Sequence, residues 1–170
     1  MKSFGYRCIG IFFALFVNIL QTQPIFAGTN EGFKIKIQPG KIRNPEIGQK
    51  INVVIEAKET SFVKGYSVIL RYNPEFLKFE SHAPGDITTN AIPLSRIEIL
   101  DDGYNAVEGG ATLLGQDAQP NEQGTIGIFV FELIASLPNT GSMIELTKVE
   151  VNATSTDKDV QTFANGTLGV

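Results

Sequence analysis

Between Lys50 and Lys58 an apolar side chain falls at every second position: Ile51, Val53, Ile55 and Ala57. Gly65–Tyr72 does the same, with Tyr66, Val68, Leu70 and Tyr72 on one side and Ser67, Ile69 and Arg71 on the other. A period of two is the period of a strand with one buried face, and no helix satisfies it. The pattern recurs at Phe33–Gln38, Leu77–Ser81 and Met143–Val151. It is weaker at Arg96–Leu100 and Gly110–Gly115. Thr125–Ala135 is apolar on both sides until Glu132, as a central strand would be. The segment Val160–Val170 closes the chain. Turn formers separate these runs: Pro39-Gly40, Asn73-Pro74, Pro84-Gly85, Asp102-Gly103, Pro120-Asn121 and Pro138-Asn139. After Ala27 no window carries a helical period, so the expected fold is all-β, a nine-stranded antiparallel sandwich.

The first 27 residues stand apart. Lys2 and Arg7 form a short basic start, Ile9–Leu20 is mostly apolar, and Ile25-Phe26-Ala27 places a small residue before a cut. This reads as a cleaved signal peptide. The apolar run is shorter than the ~20 residues a spanning helix needs, so no membrane anchor is expected once it is removed. Residues 28–170 are then a single domain of 143 residues, able to bury roughly 68–70% of its unfolded surface. The lone Cys8 leaves with the leader. The domain therefore has no thiol chemistry and no disulfide, and its core alone must hold it.

Without Lys2 and Arg7, 12 basic side chains face 18 acidic ones, a net charge of −6. No Lys or Arg occurs between Ile97 and Thr147. A nucleic-acid partner, which needs a basic stripe, is excluded. The acidic stretch serves solubility or the docking of a basic partner.

Leu137-Pro138-Asn139-Thr140-Gly141 fits the L-P-x-T-G sortase pattern. The segment after Gly141 alternates, contains Glu145, Glu150, Asp157 and Asp159, and has neither an apolar stretch nor a basic tail. The pentapeptide is therefore expected to be a turn between strands.

"KGYSVILRYNPEFLKFES" resembles the signature of cohesin domains: Gly65, an alternating strand ending at Tyr72, the Asn73-Pro74 turn, then Leu77 and Phe79. Ala83–Ile87 is similar to the family's Pro-Gly-Asp loop. Glu122–Val151, with Phe131, resembles its Gly-led core strand and the strand after it, and "FANGTLGV" its closing strand. The resemblance covers nearly all of residues 28–170. It implies a nine-stranded jelly roll, related in fold to some carbohydrate-binding modules, and a protein partner of the dockerin type. It also implies a setting outside the cell or in the periplasm, in polysaccharide breakdown. The strand bearing Ser67, Ile69 and Arg71 then belongs to the sheet that meets the partner, and these three residues are the candidate partner-binding set. In type I cohesins an Asn and an Asp two apart on this strand help hold the dockerin; the matching positions here are Gly65 and Ser67.

The residues support no catalytic site. His82 is the single histidine and is expected at a surface or turn before Pro84-Gly85. Asp101-Asp102-Gly103 reads as a turn and lacks the spacing of an EF-hand loop. No nucleophile elbow, zinc motif or phosphate loop occurs, and no cofactor or metal is expected. Asn152-Ala153-Thr154 and Asn165-Gly166-Thr167 match the glycosylation pattern. Carbohydrate binding and a purely structural surface role remain as alternatives to protein binding. Sugar stacking on a β face uses exposed aromatic rings. The domain has no Trp, and of Tyr66, Tyr72 and Tyr104 only the last is a candidate platform. Tyr72, Leu77 and Phe79 are expected in the core. Mass spectrometry of the protein released by its own cells should find a chain starting near Gly28; intact Met1–Val170 in the membrane fraction would overturn the leader.

Overall fold

The structure, a computed structural model, describes residues 30, 32–114, 123–153, 159–162 and 168–169. The proposed leader and the two glycosylation triplets lie wholly or partly outside these residues. Eight strands run from Lys34 to Asn152 where nine were expected for the domain. They are β1 (Lys34–Gln38), β2 (Lys50–Lys58), β3 (Gly65–Tyr72), β4 (Leu77–Pro84), β5 (Ile92–Ile99), β6 (Asn105–Thr112), β7 (Gln123–Leu133) and β8 (Met143–Asn152). Two short segments come after them, β9 (Asp159–Thr162) and β10 (Leu168–Gly169), both pairing with β8. One 3-10 turn, Asp86–Thr88, is the only helical element among the described residues.

Every pairing is antiparallel. One sheet has the order β1-β2-β7-β4; the other runs β10-β8-β3-β6-β5, with β9 also on β8. The alternation read from sequence decides which side of each strand is buried. Ile51, Val53, Ile55 and Ala57 of β2 meet Tyr66, Val68, Leu70 and Tyr72 of β3 in one core, with Phe129 and Phe131 of β7 and Ile144, Leu146, Val149 and Val151 of β8. β7 is central in its sheet, as its two-sided apolar run required. Tyr72 and Leu77 are buried, and Phe79 is half-buried against the core because β4 is an edge strand.

The turns behave as their residues dictate. Asn73 Oδ1 accepts the Glu75 N–H at 2.9 Å, and its carbonyl accepts the Leu77 N–H at 3.0 Å, so Asn serves where the cohesin pattern has Asp. Pro138 C=O accepts the Gly141 N–H at 2.8 Å, and Gly141 has φ +76°. The L-P-x-T-G match is a β-turn leading into β8. Gly103, at φ +83°, closes the β5–β6 hairpin with Asp102 Oδ1 accepting the Tyr104 N–H at 3.1 Å.

Three expectations need correction. β5 begins at Ile92, four residues before Arg96; Pro93 masks it in the sequence, yet a proline is tolerated on the edge strand that β5 is. β6 is Asn105–Thr112 and not Gly110–Gly115, because its register is set by β3, where Gly65 pairs with Thr112 and Tyr72 with Asn105. His82 is neither a surface nor a turn residue. β4 continues to Pro84, and a bulge between Phe79 and Ser81 reverses the strand's parity and turns His82 inward. Its Nε2 lies 2.8 Å from the Tyr66 hydroxyl, and its ring centroid lies 4.7 Å from that of Phe129.

Two glycines make room for this aromatic layer. A Cβ on Gly109 would stand 2.4 Å from Phe129 Cε1, and one on Gly127 2.9 Å from the Tyr66 hydroxyl. Gly109→Ala should therefore destabilise by about 1–3 kcal/mol, the usual result of overpacking. Urea unfolding measures it, and an unchanged midpoint would disprove the contact. Burial lowers the His82 imidazole from its ordinary 6.5 to about 4. The folded state thus prefers the neutral ring, whereas the unfolded chain takes up a proton near 6.5. This contribution is complete above about pH 6.5 and is lost as the pH falls toward 4. Discounted for partial exposure, the loss is on the order of 2 kcal/mol. Denaturation at several pH values should show this slope in the native protein and a flatter one in His82→Gln. Equal slopes would place the ring in water.

Candidate functional site

β3 is covered on one face and open on the other. Its odd-numbered residues, Gly65, Ser67, Ile69 and Arg71, lie in the middle of the outer face of the larger sheet, flanked by β8 and β6. The structure thus brings the three candidates Ser67, Ile69 and Arg71 into one row, all half-buried. Register supplies their neighbours: Ser67 sits between Glu150 and Gly110, Ile69 between Lys148 and Glu108, and Arg71 between Glu145 and Ala106.

Arg71 is the hub. Its Nη1 donates to Glu145 Oε2 and its Nη2 to Asp102 Oδ2, both at 2.7 Å. Its Cζ stands 3.7 Å over the centre of the Tyr104 ring. The Glu145 and Asp102 carboxylates raise the guanidinium further above its ordinary value, and Arg71 holds Asp102 below the usual carboxylate range. One cation therefore ties the tip of the β5–β6 hairpin to β8 across β3. The planar fork of Arg suits two carboxylates and a ring face at once; Lys could not do this.

Glu108 forms the second node. It accepts from the Ser67 hydroxyl at 2.8 Å and from Arg96 Nε at 2.7 Å. These bonds, that from Ser67 first, lower its pKa. Lys148 and Glu150 form an ion pair on the same face of β8. Ile69 is the apolar centre of this charged ring. Beside it lies an open groove of about 370 Å³, with Gly65 and Gly110 in its floor and Ile92, Leu94 and Arg96 on its β5 side. A Cβ on Gly110 would come within 2.7 Å of the Tyr66 carbonyl oxygen, so that part of the floor stays low.

Ile92 and Leu94 escape the sequence reading, in which β5 starts only at Arg96. The alternation Ile92, Leu94, Arg96 around an edge-tolerated Pro93 is the signal that could have found them. Glu108, Glu145, Lys148 and Glu150 escape it as well, because their roles come from cross-strand register. Tyr66 and Tyr72 are buried in the core. Tyr104, the candidate sugar platform, has its face occupied by Arg71. Among the described residues no three His, Cys, Asp or Glu side chains are grouped to hold a metal ion.

No family model and no curated protein matches the sequence. Solved structures do. The sixth cohesin of scaffoldin B from Acetivibrio cellulolyticus, in complex with a dockerin, superposes with a TM-score of 0.57. It is 15% identical, over 82% of this chain and 99% of that one. The cohesin module of a family 33 glycoside hydrolase from Clostridium perfringens has a TM-score of 0.54 at 11% identity, over 84% and 98% of the two chains. A non-cellulosomal cohesin from the archaeon Archaeoglobus fulgidus has a TM-score of 0.50 at 17% identity, over 71% and 78%. With two antiparallel sheets in the strand orders β1-β2-β7-β4 and β10-β8-β3-β6-β5, the chain has the cohesin-type β-sandwich fold.

Proposed function

We propose that the chain is a secreted, non-catalytic protein-binding module. Its outer β8-β3-β6-β5 face takes a partner of the dockerin kind, in the service of extracellular polysaccharide breakdown. The observation that carries this reading is Ile69, an apolar side chain on an open sheet face, ringed by Arg71, Glu108, Glu145, Lys148 and Glu150. A desolvated apolar centre inside a polar rim is the anatomy of an interface. Most ring side chains are already held by ion pairs or hydrogen bonds, so docking need not order them anew. The rim carries more acid than base, which favours a partner that brings an apolar side chain framed by Lys or Arg. One structural neighbour is a cohesin in complex with a dockerin, which supports the partner class. Gly65 and Ser67 stand where type I cohesins carry Asn and Asp, so the contacts differ in detail: at Gly65 a groove replaces one side-chain hydrogen-bonding group, and at Ser67 a shorter hydroxyl, already donating to Glu108, replaces the other. Tyr66 and Tyr72 are buried and Arg71 lies over one face of Tyr104, which weighs against stacking on sugars.

Dockerin-bearing proteins and insoluble polysaccharides, offered side by side in a pull-down, separate the two ligand classes. Titration calorimetry on the captured protein should then show Ile69→Asp weakening binding by at least ~2 kcal/mol, the cost of a charge in a dry contact. Circular dichroism should remain that of the native fold, because the side chain points away from the core. Unchanged affinity in folded Ile69→Asp would move the interface off this face. Retention on polysaccharide alone would overturn the protein-binding reading.

A further inference from the structure

β5 differs from the other long edge strands. β1, at one edge of the smaller sheet, presents Lys34 and Lys36. β4, at the other, has Lys78, Glu80, a bulge and a terminal Pro84. Charge, bulges and proline are what keep an edge from pairing with another chain. β5 carries Pro93 near its start and one charge of each sign, Arg96 and Glu98, but it has no bulge and keeps a continuous register with β6 over all eight residues. All eight residues are exposed, including Ile92 (50%), Leu94 (72%), Ile97 (51%) and Ile99 (81%).

The hairpin determines which backbone groups of β5 are free. The Leu100 N–H donates to the Tyr104 carbonyl at 2.8 Å, and Leu100 continues the register in which Ile99 faces Asn105. Hydrogen-bonded pairs alternate in an antiparallel ladder. Even-numbered residues therefore bond to β6, and Pro93, Ser95, Ile97 and Ile99 turn their backbone groups outward. Pro93, which has no N–H, falls on the outward set, where an edge proline belongs.

We propose that this edge pairs antiparallel with the β5 of a second copy of the chain, with Ile97 facing Ile97 on the two-fold axis. Among registers that pair odd with odd residues, this one sets Arg96 opposite Glu98 twice, once on each side of the axis. A shift of the axis to residue 96 opposes two arginines; a shift to residue 98 opposes two glutamates. Either is penalised across a ladder. The pairing also joins Leu94 to Leu100 on the outer face and Ile99 to Ser95 on the inner one. Arg96 can serve both chains: Nε holds Glu108, and the guanidinium has further donors for the second copy's Glu98. Glu98 has no cation partner of its own among the described residues, and the pairing supplies one. The two sheets become one, with both outer faces on the same side.

Sedimentation equilibrium of the purified protein, without any partner, should show a concentration-dependent dimer. Arg96→Glu and Glu98→Arg should each raise the dissociation constant about ten-fold or more, since each places two like-charged pairs across the axis. The double variant R96E/E98R should dimerise more tightly than either single variant, and Ile97→Lys should give a monomer. Circular dichroism and thermal melting verify that each variant is folded. A native protein that stays monomeric overturns the proposal. So does a dimer that neither charge reversal weakens, or one that is no tighter in the double variant than in both single variants. Because no partner is present, failure here leaves the outer-face reading standing, and failure of that reading leaves this one standing.

Discussion

β3 is the strand on which both the core and the site rest. It lies between β8 and β6 and is paired along its whole length with each. Its even-numbered side chains fill the core against β2 and β7; its odd-numbered ones form the centre of the outer face. Burying Val68 or Leu70 contributes about 1.5–3 kcal/mol each, in a domain with no disulfide to support it. The face inherits this rigidity. Ser67, Ile69 and Arg71 are positioned by a backbone that cannot move without opening the core.

The polar network on that face adds position more than stability. Ion pairs with one exposed partner, such as Arg71 with Asp102, contribute little to stability because water screens them. What they do is fix geometry. Arg71 fastens the β5–β6 hairpin to β8, and Glu108 fastens β5 to β3 through Arg96 and Ser67. The hairpin edge and the face beside it are thereby parts of one hydrogen-bonded framework.

Much of the sandwich is legible in the sequence because burial on one face leaves a period of two. β2, β3, β7 and β8 follow it over long runs, and these strands form most of the core. β5 and β6 are harder to place for a related reason. β5 is exposed on both faces, so no burial pattern marks it, and Gly109 and Gly110 interrupt β6 where it must admit neighbouring atoms. His82 defeats a reading by alternation because one extra residue in β4 inverts the strand's parity, and a bulge carries no compositional signal of its own. At the site, the row Ser67, Ile69, Arg71 comes directly from alternation within a single strand. Its partners Glu108 and Glu145 lie far along the chain, and only cross-strand register brings them near.

The strict alternation of β3 separates what natural selection can change from what it must keep. A substitution at an even position alters the packing between two sheets, and compensation has to be found on β2, β7 or β8. A substitution at Ser67, Ile69 or Arg71 changes the outer face, where we propose the partner docks, and leaves the packing between the sheets in place. The outer face can then diverge while the scaffold persists, and the three cohesin neighbours share this fold at identities of only 11% to 17%.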